Sequence, residues 1–423
     1  MASDHLQKQE PTEQPIDKFA ALRITEFRNL LASRFLFTMS MRMLTTMLGW
    51  WVYNLTNDPL AIGLIGLSEI IPAISLALYA GHVIDLSEKR GMLQKGIALY
   101  ILAVLILLFL STNYIRISLS HHIIAVLIYI TIFGTGIVRA FTGPVFNVML
   151  ASTVPRETLP NAMTWNQSSY LLGSVSGHAA GGFLIALVGN TGTLGVISAM
   201  LLISLICISR VSAKPPVNVK GEKRTWDSVK EGLNFVFKTK ELLGAVSLDM
   251  FAVLFGGAVA MVPVYARDIL KAGPEGFGML NAASDIGAIC SVLLLTAFPM
   301  RKQQGRKLLI AVAGFGICII IFGISKLYWI SFAVLLLSGM LDGISVVIRG
   351  TITQLKTPDN MRGRVMSVNS MFINSSNELG QFESGLSARL MGVVPSVIFG
   401  GCMTLLVVLI TWAKAPALRK MEY

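Results

Sequence analysis

The chain reads as an all-α membrane protein: twelve transmembrane helices in two pseudo-symmetric six-helix halves. Three observations carry this reading. Of the 423 residues, 54% are hydrophobic and only 14% charged, whereas a soluble domain is about a quarter charged because its surface must be solvated. Apolar runs near the roughly 20 residues that cross a bilayer as a helix recur along the chain. Short patterns also repeat between its first and second halves. Glycine (38 residues) is abundant, as is usual in membrane helices.

The runs predict spans over 29–54, 60–82, 92–113, 121–150, 161–188, 194–212, 242–265, 276–298, 308–326, 327–349, 365–388 and 393–412. The organisation that follows is a cytoplasmic tail (1–28), a first half (29–212), a cytoplasmic linker (213–241), a second half (242–412) and a second tail (413–423). The linker contains the basic stretch KPPVNVKGEKRTWDSVKEGLNFVFKTKE, which is expected to end in an interfacial helix. The polar N-terminus lacks the apolar core of a signal peptide and is expected to be a cytoplasmic tail.

Charge sets the expected orientation. With both termini in the cytoplasm, 27 Lys/Arg fall on the cytoplasmic side and five (Arg116, Arg267, Lys271, Lys326, Arg389) on the other, with Arg42, Arg139 and Arg349 in or at the ends of spans. Such a bias is the positive-inside signature. It also accounts for the net charge of +12 without nucleic acid. Trp50 and Trp51 are expected in an aromatic belt at the outer face. Cys207, Cys290, Cys318 and Cys402 lie in apolar runs without metal-ligand spacing and read as small core residues.

A shift of 203 superposes TVP (153–155) on KTP (356–358), Gly177 on Gly380 and Gly182 on Gly385. A second echo places Gly63, four residues after Pro59, beside Gly278, four after Pro274. Together these suggest parallel six-helix repeats, a known transporter plan.

A charge within a bilayer is costly, about 2.5–3.5 kcal/mol at the least, so intramembrane charges are functional candidates. They are Arg42, Glu69, Arg139, Asp249, Asp285, Asp342, Glu378 and Glu383. Spans three, six, nine and twelve carry none at mid-depth and are expected to face lipid, the others lining a central cavity. A buried carboxylate can equally be the structural partner of a buried arginine. Six acids against two mid-membrane arginines leave a surplus, however, and an unpaired buried acid takes up a proton rather than hold its charge. Asp249, with no basic residue within two turns on its own helix, is the first proton-coupling candidate, followed by Glu69 and Asp285. Arg42, Asp342, Asn374, Glu378 and Gln381 are candidates for the substrate cavity. Asn374, Glu378 and Gln381 share one helix face. Met39, Met41, Met43 and Met47 around Arg42 read as core filler or as an adaptable pocket wall. Gly173, Gly177 and Gly181, with Gly380 in the second half, are helix-packing positions. Close packing there is expected to extend to the contact between halves. His178 reads as a hydrogen-bonded polar residue or a proton relay.

The sequence contains no phosphate-binding G-x-x-x-x-G-K-[ST] loop and no H-E-x-x-H. Neither an enzyme nor a cofactor or metal site is expected.

The segment 81–90, GHVIDLSEKR, resembles the G-x-x-x-D-R-x-x-R-K signature of the major facilitator superfamily, with Leu86 in place of the arginine. The resemblance implies a cytoplasmic gating latch at Gly81, Asp85, Lys89 and Arg90. Arg139 and Gly143 resemble the family's R-x-x-x-G, which implies a link of Arg139 to proton coupling. Residues 177–182, GHAAGG, resemble the antiporter signature G-P-x-x-G-G, with His178 at the proline position. VPRETLPNA (154–162), MVPVYARDIL (261–270) and the stretch from Thr357 to Gly385 are similar to the drug:proton antiporter branch that holds macrolide efflux proteins and the enterobactin exporter.

The resemblance implies a major facilitator exporter, acting as a monomer in a bacterial inner membrane. It would export a small amphipathic molecule, drug-like, macrolide-like or siderophore-like, by alternating access with proton antiport. A lysophospholipid flippase or an uncoupled facilitator is the alternative within transport. A membrane scaffold or sensor is the alternative outside it.

Overall fold

The computed structural model describes residues 17–143, 145–213, 226–298, 300, 302–358 and 361–422. Local chemistry starts and stops its helices. Helix α1 (Thr25–Thr56) ends at Asn57, which is left-handed with φ 52°. Helix α2 (Pro59–Leu86) begins at once: Asp58 accepts the Leu60 N–H at 3.0 Å, and Pro59 occupies the first position, where its missing N–H is no loss. Helix α3 (Lys89–Leu110) is capped by Glu88, whose carboxylate accepts the N–H groups of Arg90 and Gly91 at 2.8 and 2.7 Å. Helix α4 (His121–Thr142) starts from the hydroxyl of Ser120.

The next helical run, Leu159–Ser209, is two helices joined at Gly189 (φ 67°, ψ −175°), a conformation that only glycine adopts freely. Ser169 donates to the Leu31 carbonyl at 3.5 Å and Ser204 to that of Ser33 at 2.9 Å. Residues 169 and 204 therefore flank the same stretch of α1, and the chain has turned back between them. These helices are α5 (residues 159–188) and α6 (residues 190–209).

A linker helix (Trp226–Lys238) leads into α7 (Lys240–Phe255). It docks on the second half: Arg364 bonds Glu231 at 2.6 Å, and Val236 is buried with Leu242 and Leu308. Past Gly256, α7 continues as a 3₁₀ segment (Gly257–Met261) and a π turn (Tyr265–Ile269). Helices α8 (Gly273–Ala297), α9 (Gln304–Ile324), α10 (Tyr328–Lys356), α11 (Arg362–Met391) and α12 (Val393–Lys414) complete the chain.

Among the described residues, nine helical stretches are long and apolar enough to cross a membrane, and one of them contains the α5–α6 reversal. Helices α1 and α11, of 32 and 30 residues, are outside the nine despite their length. Both are rich in polar side chains and face the interior. Helices α3, α6, α9 and α12 each carry an exposed apolar face, for example Leu102, Ile203, Ile317 and Leu409.

Each half packs internally, α1 on α5 and α2 on α4 in the first, α7 on α11 and α8 on α10 in the second. The halves meet along α2 with α11 and α5 with α8. At these crossings the two sequence echoes touch each other. A Cβ on Gly182 would lie 2.4 Å from the Pro274 carbonyl and 2.7 Å from Gly278 Cα, and one on Gly385 would lie 3.0 Å from the Pro59 carbonyl and 3.1 Å from Gly63 Cα.

Two expectations are corrected. The ladder Gly173, Gly177, Gly181 faces Thr38, Met39 and Met43 of α1, so it packs within one half, and the neighbouring Gly182 makes the contact between halves. Gly380 likewise faces Val253 and Leu254 of its own half. Trp50 and Trp51 are buried rather than belted in an interface, and Trp50 stacks on Phe277 across the halves at 5.8 Å.

Candidate functional site

A cavity opens between the halves at mid-depth, with lobes of about 320 and 330 Å³ that share Arg42, Thr45, Ile65 and Gln381. The first lobe is walled by α1, α2 and α4 with α11. Its centre is Arg139, whose Nη1 donates to Glu69 of α2 at 2.8 Å and to Glu378 of α11 at 2.9 Å. One guanidinium thus serves carboxylates from opposite halves. Gln381, one turn on, donates to the other oxygen of Glu378 at 3.2 Å. A Cβ on Gly136 would sit 2.4 Å from the Glu69 carbonyl, so this glycine lets α4 approach α2 closely enough for Arg139 to reach Glu69 directly.

In the second lobe Asp285 accepts from the Ser174 hydroxyl at 2.7 Å, and His178 Nε2 lies 3.7 Å away. The His178 Nδ1 bonds the Thr46 hydroxyl at 2.8 Å. Asp342 lines this lobe with about half its side chain exposed, 3.9 Å from Arg349.

The distal end, remote from the first residues of α1 and α7, is closed by contacts between the halves. Tyr53 donates to Asp268. Arg267 lies over the Tyr53 ring at 4.1 Å and donates to Asn54 and Asn57 at 2.9 and 2.8 Å. Arg389 pairs with Asp58 at 3.3 Å.

Several sequence candidates meet in this cavity: Arg42, Glu69, Arg139, Asp285, Asp342, Glu378 and Gln381. Asp249 does not. It pairs with Arg349 of α10, both side chains about nine-tenths buried, so its partner comes from another helix, one that the count of two mid-membrane arginines left out. Asn374 is exposed and lines neither lobe, whereas Asn377 lines the second. Met41 lines the first lobe, while Met43 and Met47 are buried in the core. The side chains of Gly81 and Asp85 lie outside the described residues. Of their neighbours, Lys89 bonds the carbonyls of Ile84 and Ser87, and Arg90 bonds that of Val211 at 3.1 Å.

Sequence reasoning missed Arg34, Tyr170 and Asn281 in the cavity and the Arg267–Asp268 closure. Arg34 left a signal, a positive charge in an apolar span two turns before Arg42. Tyr170 left none, since a tyrosine in a membrane helix is unremarkable until its neighbours are known.

The profile of the transmembrane secretion effector family matches residues 16–423. The chain belongs to that family, within the major facilitator superfamily. It is 27% identical over 220 residues to the enterobactin exporters of Shigella dysenteriae serotype 1 and Escherichia coli O1:K1, the match covering 51% of this chain and 52% of each relative. The chain thus spans about half the length of the curated relatives it matches. Among solved structures, a POT family transporter in complex with 5-aminolevulinic acid superposes with TM-score 0.73 at 12% identity, covering 93% of this chain and 96% of that one. The nucleoside transporter NupG superposes with TM-score 0.67 at 14% identity, covering 92% and 98%. These likenesses establish the fold.

Proposed function

We propose that this protein is a twelve-span secondary transporter that exports a small amphipathic molecule by alternating access, driven by proton antiport. Both termini face the cytoplasm of a bacterial inner membrane, so the closed distal end is the outer face. The positive-inside bias supports the orientation, and the enterobactin-exporter relatives support the outward direction.

The observation that carries the coupling reading is Arg139 shared between Glu69 and Glu378. Two carboxylates from opposite halves bond one guanidinium, so one proton can be taken up without leaving Arg139 unpaired. Placed on Glu378, it leaves the Arg139–Glu69 pair intact within the first half and removes the charged bond that ties α4 to α11. Discharging that bond loosens the halves and lets the cavity change sides, and restoring it when the proton leaves resets them. Glu378 thereby takes the place that sequence alone assigned first to Asp249.

The test is uptake of a labelled amphipath into proteoliposomes holding the purified protein, with and without an imposed pH gradient. Glu378→Gln is expected to abolish gradient-driven accumulation while retaining exchange, because exchange need not release a proton. Normal uphill uptake by both Glu378→Gln and Glu69→Gln would remove this cluster from the coupling mechanism.

A further inference from the structure

The charges lining the cavity are sorted by lobe. In the first lobe three guanidiniums, Arg34, Arg42 and Arg139, face two carboxylates, and both of these are taken by Arg139. Among the described residues neither Arg34 nor Arg42 has a carboxylate within 4.0 Å. Both are held instead by the aromatic wall. Arg42 donates to the Tyr170 hydroxyl at 2.8 Å, its guanidinium lying 5.9 Å from that ring. Arg34 lies 5.8 Å from the same ring and 5.4 Å from Phe146, with its Nε buried and without a hydrogen-bond partner. Two cations therefore flank one tyrosine with no carboxylate in contact, Arg42 being balanced only at longer range by Asp285, inside a protein where such charges are expensive.

The second lobe is the reverse. Apart from the shared Arg42, no lysine or arginine lines it, and two carboxylates, Asp285 and Asp342, do. Between the charged ends the wall carries the apolar side chains of Met41, Leu48 and Ile65, with Thr45 and Gln381 beside them.

We propose that the cavity takes a zwitterionic amphipath, its anionic group seated between Arg34 and Arg42 and its cationic nitrogen at Asp285 and Asp342. The proposal deepens the exporter reading and rests on the cavity being the substrate path. An anion entering the first lobe supplies the contacting counter-ion that Arg34 and Arg42 lack, and can accept from the orphaned Arg34 N–H. A cation entering the second lobe meets Asp285, whose one contact within hydrogen-bond reach among the described residues is the Ser174 hydroxyl, and Asp342, which is half exposed and 3.9 Å from its partner Arg349. A singly charged molecule satisfies one end and leaves the other unpaired, the situation in which a binding site discriminates most strongly.

The experiment is displacement of a bound fluorescent reporter, dansyl-labelled undecanoate, from the purified full chain by three chain-matched compounds: dodecanoate, dodecylamine and ω-aminododecanoate. The zwitterion is expected to displace the reporter at least about tenfold more tightly than either singly charged compound, the scale of one charge-assisted hydrogen bond. Arg34→Gln and Arg42→Gln are expected to weaken dodecanoate and the zwitterion about tenfold and to leave dodecylamine unchanged. Asp342→Asn is expected to weaken dodecylamine and the zwitterion and to leave dodecanoate unchanged. Arg42→Lys, which keeps the charge, recovers most of the Arg42→Gln loss and guards against a folding defect. Equal displacement by all three compounds, or variants that act on the wrong charge, overturns the proposal. Reporter uptake that persists in vesicles when nothing displaces it from the cavity overturns the cavity as the path. A charge pattern as expected without any vectorial transport sinks the exporter reading while the ligand class stands.

Discussion

Asp249→Asn separates a structural acid from a proton carrier. Asp249 and Arg349 bond directly, with side-chain exposures of 8% and 11%. Removing one partner of such a pair strands the other charge and costs about 3–5 kcal/mol. Asp342 remains 3.9 Å from the second guanidinium nitrogen and is itself 49% exposed, so it compensates Arg349 in part. The loss is therefore placed at the lower end, about 3 kcal/mol. For a unit of about 170 residues, the size of the second half, 1 kcal/mol shifts Tm by roughly 2–4 °C, so the variant is expected to melt about 6–12 °C lower. Removing both charges, as Asp249→Asn with Arg349→Gln, leaves no stranded ion and is expected to recover most of the drop. The assay is thermal unfolding of the purified protein in detergent, followed by size-exclusion monodispersity. A variant that melts within about 2 °C of the parent would refute the pairing argument, and loss of uphill uptake in that stable variant would return Asp249 to the coupling role.

Gly278→Val is expected to open the distal end, because its Cβ would lie 2.7 Å from the His178 carbonyl and 2.8 Å from Gly182 Cα; cysteine labelling at Asn54 from outside should then rise, and unchanged labelling would contradict it. Arg267→Ala removes the hydrogen bonds to Asn54 and Asn57 and the stacking on Tyr53. At this exposed site about 1 kcal/mol is lost, so outward-open molecules should rise about fivefold by the same labelling, and high salt should mimic part of the effect. Protease added outside intact cells is expected to spare residues 213–241, and cleavage there would overturn the orientation.

The sequence by itself determined that this chain lives in a bilayer, which of its apolar runs are long enough to cross one, and which residues are costly enough there to demand a reason. Those facts follow from composition and from one helix at a time, since an apolar run either reaches the length of the hydrocarbon layer or does not, whatever its neighbours do. The repeats were legible for the same reason, and the fold shows why they are there: Gly182 meets Gly278 and Gly385 meets Gly63, so both echoes mark crossings where the halves meet. What the sequence left open was pairing. Asp249 looked solitary because its arginine comes from a helix 100 residues away. Glu69 and Glu378 looked like separate surplus acids until α2, α4 and α11 brought them onto one guanidinium. Whether a buried charge is an ion-pair partner, a ligand contact or a proton site depends on what faces it from other helices, and only tertiary packing decides that.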